Sequence, residues 1–237
     1  MAIQWVLRQA SEMIAAHPPR LPFSFAGNAF EVVGSKALYW SAQNALVVAD
    51  LHLEKASWFA VRGQMLPPYD SLATLQSLAG LINATQARAL WCLGDNFHDS
   101  GGVERLEPTA RRLLGALTAQ LDWHWIVGNH DPALGSTIGG TVVDEAEVNG
   151  LILRHRAHPD ETRAELSGHF HPKYRGRNRS RAVSRACFVI SETRLILPAF
   201  GALAGGLSAD HTEVISMVGP AAEALVPTQG RLLRFKL

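Results

Sequence analysis

Cysteine is scarce here. Cys92 and Cys187 are the 2 present in 237 residues, too few for a disulfide framework, and they favour a reduced, cytoplasmic protein. An excess of charge is also missing: 22 Lys and Arg against 21 Asp and Glu leave a formal net charge of +1. No global field therefore selects nucleic acid or membrane, and any such preference has to come from a local patch. No stretch approaches the ~20 apolar residues a membrane helix needs. The longest candidate, residues 195–207, is broken by Pro198, Gly201, Gly205 and Gly206. Residues 1–16 lack the basic start, apolar block and small-residue cleavage site of a signal peptide, so the sequons at Asn83 and Asn178 mean little. There is no Gly-x-Ser-x-Gly elbow and no base beside either cysteine in sequence, which argues against a covalent nucleophile. What is there is a chain 47% hydrophobic and 18% charged, globular in composition and long enough to bury a sizeable core.

Residues 1–237 read as one domain, with no internal linker or repeat, and with residues 1–20 as an N-terminal helix or arm (Ile3 to Ala16, ended by His17-Pro18-Pro19). Phe30 to Val33, Ala37 to Trp40 and Ala45 to Ala49 read as strands between turn residues. A short helical stretch follows over Glu54 to Val61. Leu72, Leu75, Leu78, Ala79 and Ile82 then place an amphipathic helix over Tyr69 to Asn83. The next units are a strand ending at Leu93, a helix from Pro108 to Gln120 and an aromatic strand from Asp122 to Val127. From Thr141 the pattern is strand after strand, including Leu151 to Leu153, Glu165 to Ser167, Ala186 to Ile190, Arg194 to Leu197, Glu213 to Met217 and Arg231 to Phe235. The first half alternates strand and helix while the second is mostly β, which suits an α/β (α+β) architecture with two sheets.

One construction recurs. Apolar segments end in Asp50-Leu51-His52, in Gly94-Asp95-Asn96-Phe97-His98-Asp99, in Gly128-Asn129-His130-Asp131, in His155 and in Gly168-His169-Phe170-His171. Strands that deliver acids and imidazoles to a sheet rim are how α/β proteins build sites. In an extended segment, Asp50 and His52 share a face, as do His169 and His171. Either pair alone also occurs at solvated strand ends. Two Asp, one Asn and four His exceed what one ion needs, but match two ions about 3.5–4 Å apart that share a carboxylate. The mixed nitrogen and oxygen set suits manganese, iron or zinc better than magnesium or calcium.

In order and spacing these five motifs resemble those of the calcineurin-like metallophosphoesterases. The resemblance implies a four-layer αββα sandwich of two mixed β-sheets flanked by helices, with two divalent metal ions, manganese first, at the strand ends. Carried onto this chain, one ion takes Asp50, His52, Asp95 and His171, and the other Asp95, Asn129, His155 and His169. His158 competes with His155 for the fourth motif. His130 becomes a general acid toward the leaving group, with Asp131 holding its ring, while a bridging hydroxide attacks phosphorus in line. Gly94-Asp95-x-Phe97-His98-Asp99, the basic segment after His171 and Leu197-Pro198-Ala199-Phe200-Gly201 resemble one bacterial branch, the ligase-associated DNA damage response endonucleases. That branch usually carries Thr-Gly-Gly where this chain has Ala204-Gly205-Gly206.

The branch implies a phosphodiesterase or nuclease acting on DNA or RNA in a repair context, associated with an ATP-dependent DNA ligase, a helicase and an exonuclease-like protein. Asn96, His98, Lys173, Arg175, Arg177 and Arg179 are its candidate substrate contacts here. The basic segment itself, in a nearly neutral chain, reads equally as a solvated face or as a phosphate-rich contact. Aromatic interleaving there is slight, which gives base stacking little support. The other readings are a phosphoesterase for nucleotides or small phosphate esters, and a non-catalytic scaffold on the same fold.

Overall fold

The computed structural model describes residues 18–131, 138–178 and 181–237, so the N-terminal arm and Arg179 lie outside the described residues. The first sheet takes β1 (Arg20–Phe25), β2 (Asn28–Val33), β3 (Ala37–Trp40), β4 (Ala45–Val48), β5 (Ala89–Leu93), β6 (Asp122–Ile126) and β7 (Thr141–Val143) in sequence order. Its first four strands form an antiparallel meander, and β4 to β7 run parallel. Parallel pairing needs crossovers. They contain α1 (Lys55–Ala60) and α2 (Asp70–Thr85) after β4, then α3 (Gly102–Arg105) and α4 (Pro108–Gln120) after β5. Next come β8 (Ala146–Val148), β9 (Leu151–Leu153), β10 (Glu165–Ser167), the hairpin β11 (Lys173–Asn178) and β12 (Arg181–Ala186), β13 (Phe188–Ile190) and β14 (Arg194–Ile196). The described chain closes with α5 (Thr212–Val218), β15 (Glu223–Thr228) and β16 (Arg231–Lys236). The second sheet runs β16-β15-β13-β14-β10-β9-β8, with β9, β10 and β14 parallel, and the β11–β12 hairpin stands outside it.

Three apolar layers fix this arrangement. Phe23, Phe30, Trp40, Val47, Leu93 and Ile126 of the first sheet meet Leu153, Leu166, Phe188, Leu195 and Leu225 of the second. Leu75, Leu78, Leu113, Leu114 and Leu117 of α2 and α4 cover the outer face of the first sheet. Burying each of those leucines stabilises the layer by roughly 1.5–3 kcal/mol. Val214 and Val218 of α5, four residues apart, join Cys187, Val189 and Ile196 on the outer face of the second sheet. The result is the four-layer αββα order. Among the described residues no helix is long and apolar enough to cross a membrane.

The structure corrects one element and defines another. Residues 213–217, expected as a strand, form α5, because His211 caps the helix by accepting from the Glu213 N–H at 3.3 Å and the valines bury at helical spacing. The basic segment is an ordered strand pair. Tyr174 stacks on Phe235 with ring centroids 4.2 Å apart and anchors one face of the hairpin to β16, while Arg175 and Arg177 are exposed on the alternate face. At the other end of the chain, β1 has the period of its burial, with Leu21, Phe23 and Phe25 inward, although no strand was expected there.

Candidate metal centre

The carboxyl ends of β4, β5 and β6 meet those of β9 and β10 along one rim, and the chain leaves β4, β5 and β10 through left-handed backbone. Asp50 (φ 54), His52 (φ 45), Asp95 (φ 47), His169 (φ 72) and His171 (φ 49) all have positive φ. The i, i+2 pairs therefore do not share a face by running extended, as the sequence suggested; sharp left-handed turns aim them. Each such non-glycine residue costs on the order of 1–3 kcal/mol, a strain tolerated where the surroundings dictate the conformation. Those surroundings are backbone ladders. His52 N–H donates to Asp95 O at 2.9 Å and Leu53 N–H to Asn96 O at 2.9 Å, while Phe200 N–H, beyond β14, donates to Ala49 O at 2.8 Å.

Two groups of side chains result. Asp50, His52, Asp95 and His171 offer ligand atoms within 4.8 Å of one another, and so do Asp95, His155 and His169. Asp95 belongs to both. His52 Nε2 lies 3.1 Å from His171 Nε2, and His171 Nε2 lies 3.4 Å from Asp50 Oδ1. In the second group His155 Nε2 is 3.1 Å from His169 Nδ1, 3.4 Å from Asp95 Oδ1 and 2.9 Å from Asn129 Oδ1. His155 is oriented by Leu93 O, 3.0 Å from its Nδ1. His158 is exposed, and its Nδ1 accepts from the Asp160 N–H at 3.3 Å, away from the cluster. Of the two contenders, the fold brings His155 to the centre.

Charge balance tests whether these residues fit metal ions. Asp50 is 0% and Asp95 2% exposed, and among the described residues neither has a lysine or arginine partner. Among the described residues the Asp50 carboxylate accepts from the His169 N–H, at 3.0 and 3.1 Å, and that of Asp95 from the His130 N–H at 3.0 Å. Two of the imidazoles supply no compensating charge, since burial first and neighbouring basic groups second push His52 down to about 2 and His169 to about 4. Buried carboxylates are paired or coordinate metals. Two such groups without a lysine or arginine partner among the described residues, beside His52 and His169, form a donor set short of positive charge, which divalent cations supply. The close approach also needs glycine: a Cβ on Gly128 would sit 2.0 Å from Asp95 N, and one on Gly94 2.3 Å from His155 Nδ1.

The other predicted residues divide. His130 Nδ1 is 2.9 Å from His98 O, and its Nε2 points back to Asp95 Oδ2 at 3.9 Å, half-exposed at the mouth of the centre. Asp131 does not hold that ring. Its buried carboxylate accepts from the backbone N–H groups of Asn96 (2.7 Å), Phe97 (3.1 Å) and Gly128 (3.0 Å), tying two of the motif turns together. Asn96 is fully buried and donates to Ile126 O at 2.9 Å, so it is a brace between β5 and β6 rather than a substrate contact. His98 stacks on His130, with centroids 5.2 Å apart at 18°, and lies between it and Trp58 and Phe59. Burial, with Lys55 second, pushes its ring down to about 4. Lys173, Arg175 and Arg177 leave the centre along β11, directly after His171.

Sequence reasoning missed Trp58 and Phe59 on α1, whose rings pack against His98. Their local pattern is that of any short amphipathic helix. Both cysteines are buried, and burial raises their thiols, Cys187 to about 12, which removes them as nucleophiles.

Two face-to-face mixed sheets with carboxylates and imidazoles gathered at their strand ends define a metal-dependent hydrolase. Residues 44–218 match the family of calcineurin-like phosphoesterases, and the chain belongs to that family. No curated protein is significantly similar to it in sequence. Among solved structures it is similar to the Pseudomonas putida nuclease MPE, with 29% identity and a TM-score of 0.71 over 91% of this chain and 100% of that one. A protein of unknown function from Aquifex aeolicus superposes with a TM-score of 0.38 at 18% identity, over 57% of this chain and 80% of that one. Vacuolar Protein Sorting 29 from Cryptosporidium parvum gives 0.31 at 12%, over 81% of this chain and 97% of that one.

Proposed function

We propose that this chain is a dinuclear metal-dependent phosphodiesterase that cleaves nucleic-acid strands. The observation that carries the reading is the pair of ligand groups sharing Asp95, with a basic hairpin leaving directly from His171. The similarity to a nuclease over nearly the whole of both chains supports a polynucleotide substrate. Asp50, His52, Asp95 and His171 would hold one ion, and Asp95, Asn129, His155 and His169 the other. When bound, such a pair supplies Lewis-acid stabilisation of the phosphoryl oxygens and a nucleophile at neutral pH.

The chain's own groups do the rest. His130 keeps a proton on Nδ1 by donating to His98 O, so Nε2 is the atom that exchanges. In the imidazolium form it gives that Nε2 proton to the departing oxygen. Asp131 holds the backbone of the turns that carry Asp95 and His130. Trp58 and Phe59 exclude water on the His98 side. Arg175 and Arg177 attract the polyanion along β11.

The test is Mn²⁺-dependent hydrolysis of a bis-aryl phosphodiester beside the matching monoester, with Asp50→Asn as the control for contaminants. Diester turnover that disappears in the variant supports the reading. A preference for the monoester would overturn it in favour of a small-molecule phosphoesterase, and inactivity on both with ions bound would favour the scaffold.

A further inference from the structure

Next to the metal centre, on its His171 side, lies a cavity of about 300 Å³ lined by Lys36, His171, Lys173, Ser184, Pro198 and Gly205, among others. That is the lower end of ligand-sized pockets. Its two lysines come from distant parts of the chain. Lys36 is the last residue of the β2–β3 turn, and Lys173 opens β11. The Lys36 ammonium lies 3.4 Å from the carbonyls of both Phe200 and Gly201, and that of Lys173 lies 3.5 Å from Ala204 O. These are long contacts to neutral acceptors, and among the described residues neither ammonium pairs with a carboxylate. The two charges are near enough to repel one another. Two cations without a carboxylate partner among the described residues, lining one concave site in a chain of net charge +1, concentrate positive potential in one place.

We infer that Lys36 and Lys173 form a second phosphate site, which holds a non-scissile phosphate of the strand whose scissile phosphate lies at the metal centre. The inference rests on the proposed phosphodiesterase reading. His171 is the shared wall: it is one of the candidate metal ligands and it also lines this cavity, so the two phosphates are neighbours along one strand. The acceptor is a phosphate either within the strand or at its end, since both present the same oxygens to an ammonium.

The experiment compares kcat/KM for four substrates with Mn²⁺: a dinucleoside monophosphate, its 5′-phosphorylated form, its 3′-phosphorylated form and a trinucleotide with an internal second phosphate. A bis-aryl phosphodiester is run alongside as the reference for chemistry alone. The wild-type chain should prefer a second phosphate by about tenfold, the scale of one charge-assisted contact. Lys36→Gln should collapse that ratio toward one through KM, and Lys36→Arg should restore it. Ser184→Glu, which places an anion in the same cavity, should collapse it too and serves if Lys36→Gln fails to fold. Equal preference for the trinucleotide identifies an internal phosphate, and preference for one phosphorylated dinucleotide identifies a strand end. Bis-aryl turnover without any second-phosphate preference overturns this inference and leaves the phosphodiesterase reading intact, as does a preference unchanged in both Lys36→Gln and Ser184→Glu. Absence of all diester turnover overturns both.

Discussion

Asp95→Asn separates charge from shape at the point where the two ligand groups join. Asn tolerates left-handed backbone almost as well as Asp, so at φ 47 the replacement leaves the turn's conformational cost nearly unchanged. Its side-chain oxygen still accepts the His130 N–H that Asp95 takes at 3.0 Å. What disappears is one negative charge, 2% exposed and without a lysine or arginine partner among the described residues. The metal-free variant should therefore melt at or above the wild-type temperature, because an uncompensated buried charge has been removed.

The response to metal should be opposite. An ion at 100 times its Kd stabilises the folded chain by about 2.7 kcal/mol, or roughly 5–11 °C for a chain of this size, and two ions by about twice that. Wild-type protein titrated with Mn²⁺ in a differential scanning assay should show the two-ion shift, and Asp95→Asn one ion's worth or less. His158→Ala, altered at an exposed histidine outside the cluster, should keep the full shift. A full two-ion shift in Asp95→Asn would refute the argument that this carboxylate joins both sites.

His130→Gln should leave the Mn²⁺-induced shift in place yet lower turnover of an unactivated nucleic-acid ester by about 10²–10⁴-fold. The loss should be smaller on an aryl ester, whose leaving group needs no proton, and equal losses on the two substrates would remove the general-acid role. Gly128→Ala, with a Cβ 2.0 Å from Asp95 N, should fold but take up less metal, as read by equilibrium dialysis. Full occupancy would show that the turn can yield. For the metal-free protein the pH dependence has a definite sign. His52 is held down to about 2 and His169 to about 4, against about 6.5 when unfolded, so below 6.5 the unfolded chain binds more protons. Their contribution is fully present above pH 6.5 and is lost as the pH falls toward 4. The melting temperature of EDTA-treated protein should drop over that window, and a flat profile between pH 7 and 4.5 would contradict the neutral-histidine account.

The ligand candidates and much of the strand order were legible in the sequence because each is a local pattern. An apolar run closed by Asp, Asn or His marks a parallel strand delivering a polar group to a rim, and the repetition of that pattern pointed to Asp50, Asp95, Asn129, His155 and His169 together. Leu75, Leu78 and Ala79 gave α2 by their period, and Pro108 gave the start of α4. Where two local patterns agreed on one stretch, burial decided. Residues 213–217 read as one more strand in a run of strands, but the outer face of the second sheet is covered by a helix with Val214 and Val218 on one side.

Tertiary structure alone decided how the centre is aimed and what surrounds it. The positive φ values at Asp50, His52, Asp95, His169 and His171 are imposed by ladders between separate strand ends, which no residue specifies by itself. The choice of His155 over His158 follows from the Leu93 carbonyl, contributed by a strand of the opposite sheet. Asp131 looked like the partner of the adjacent ring, yet burial turned it toward three backbone N–H groups that need an acceptor. Lys36 carried no signal at all. It lies more than a hundred residues before Lys173, and only the packing of the β2–β3 turn against the loop after β14 sets the two charges around one cavity. Sequence determines which groups a rim can offer, since that depends on neighbours along the chain. Which groups face one another depends on neighbours across it, and that only the fold decides.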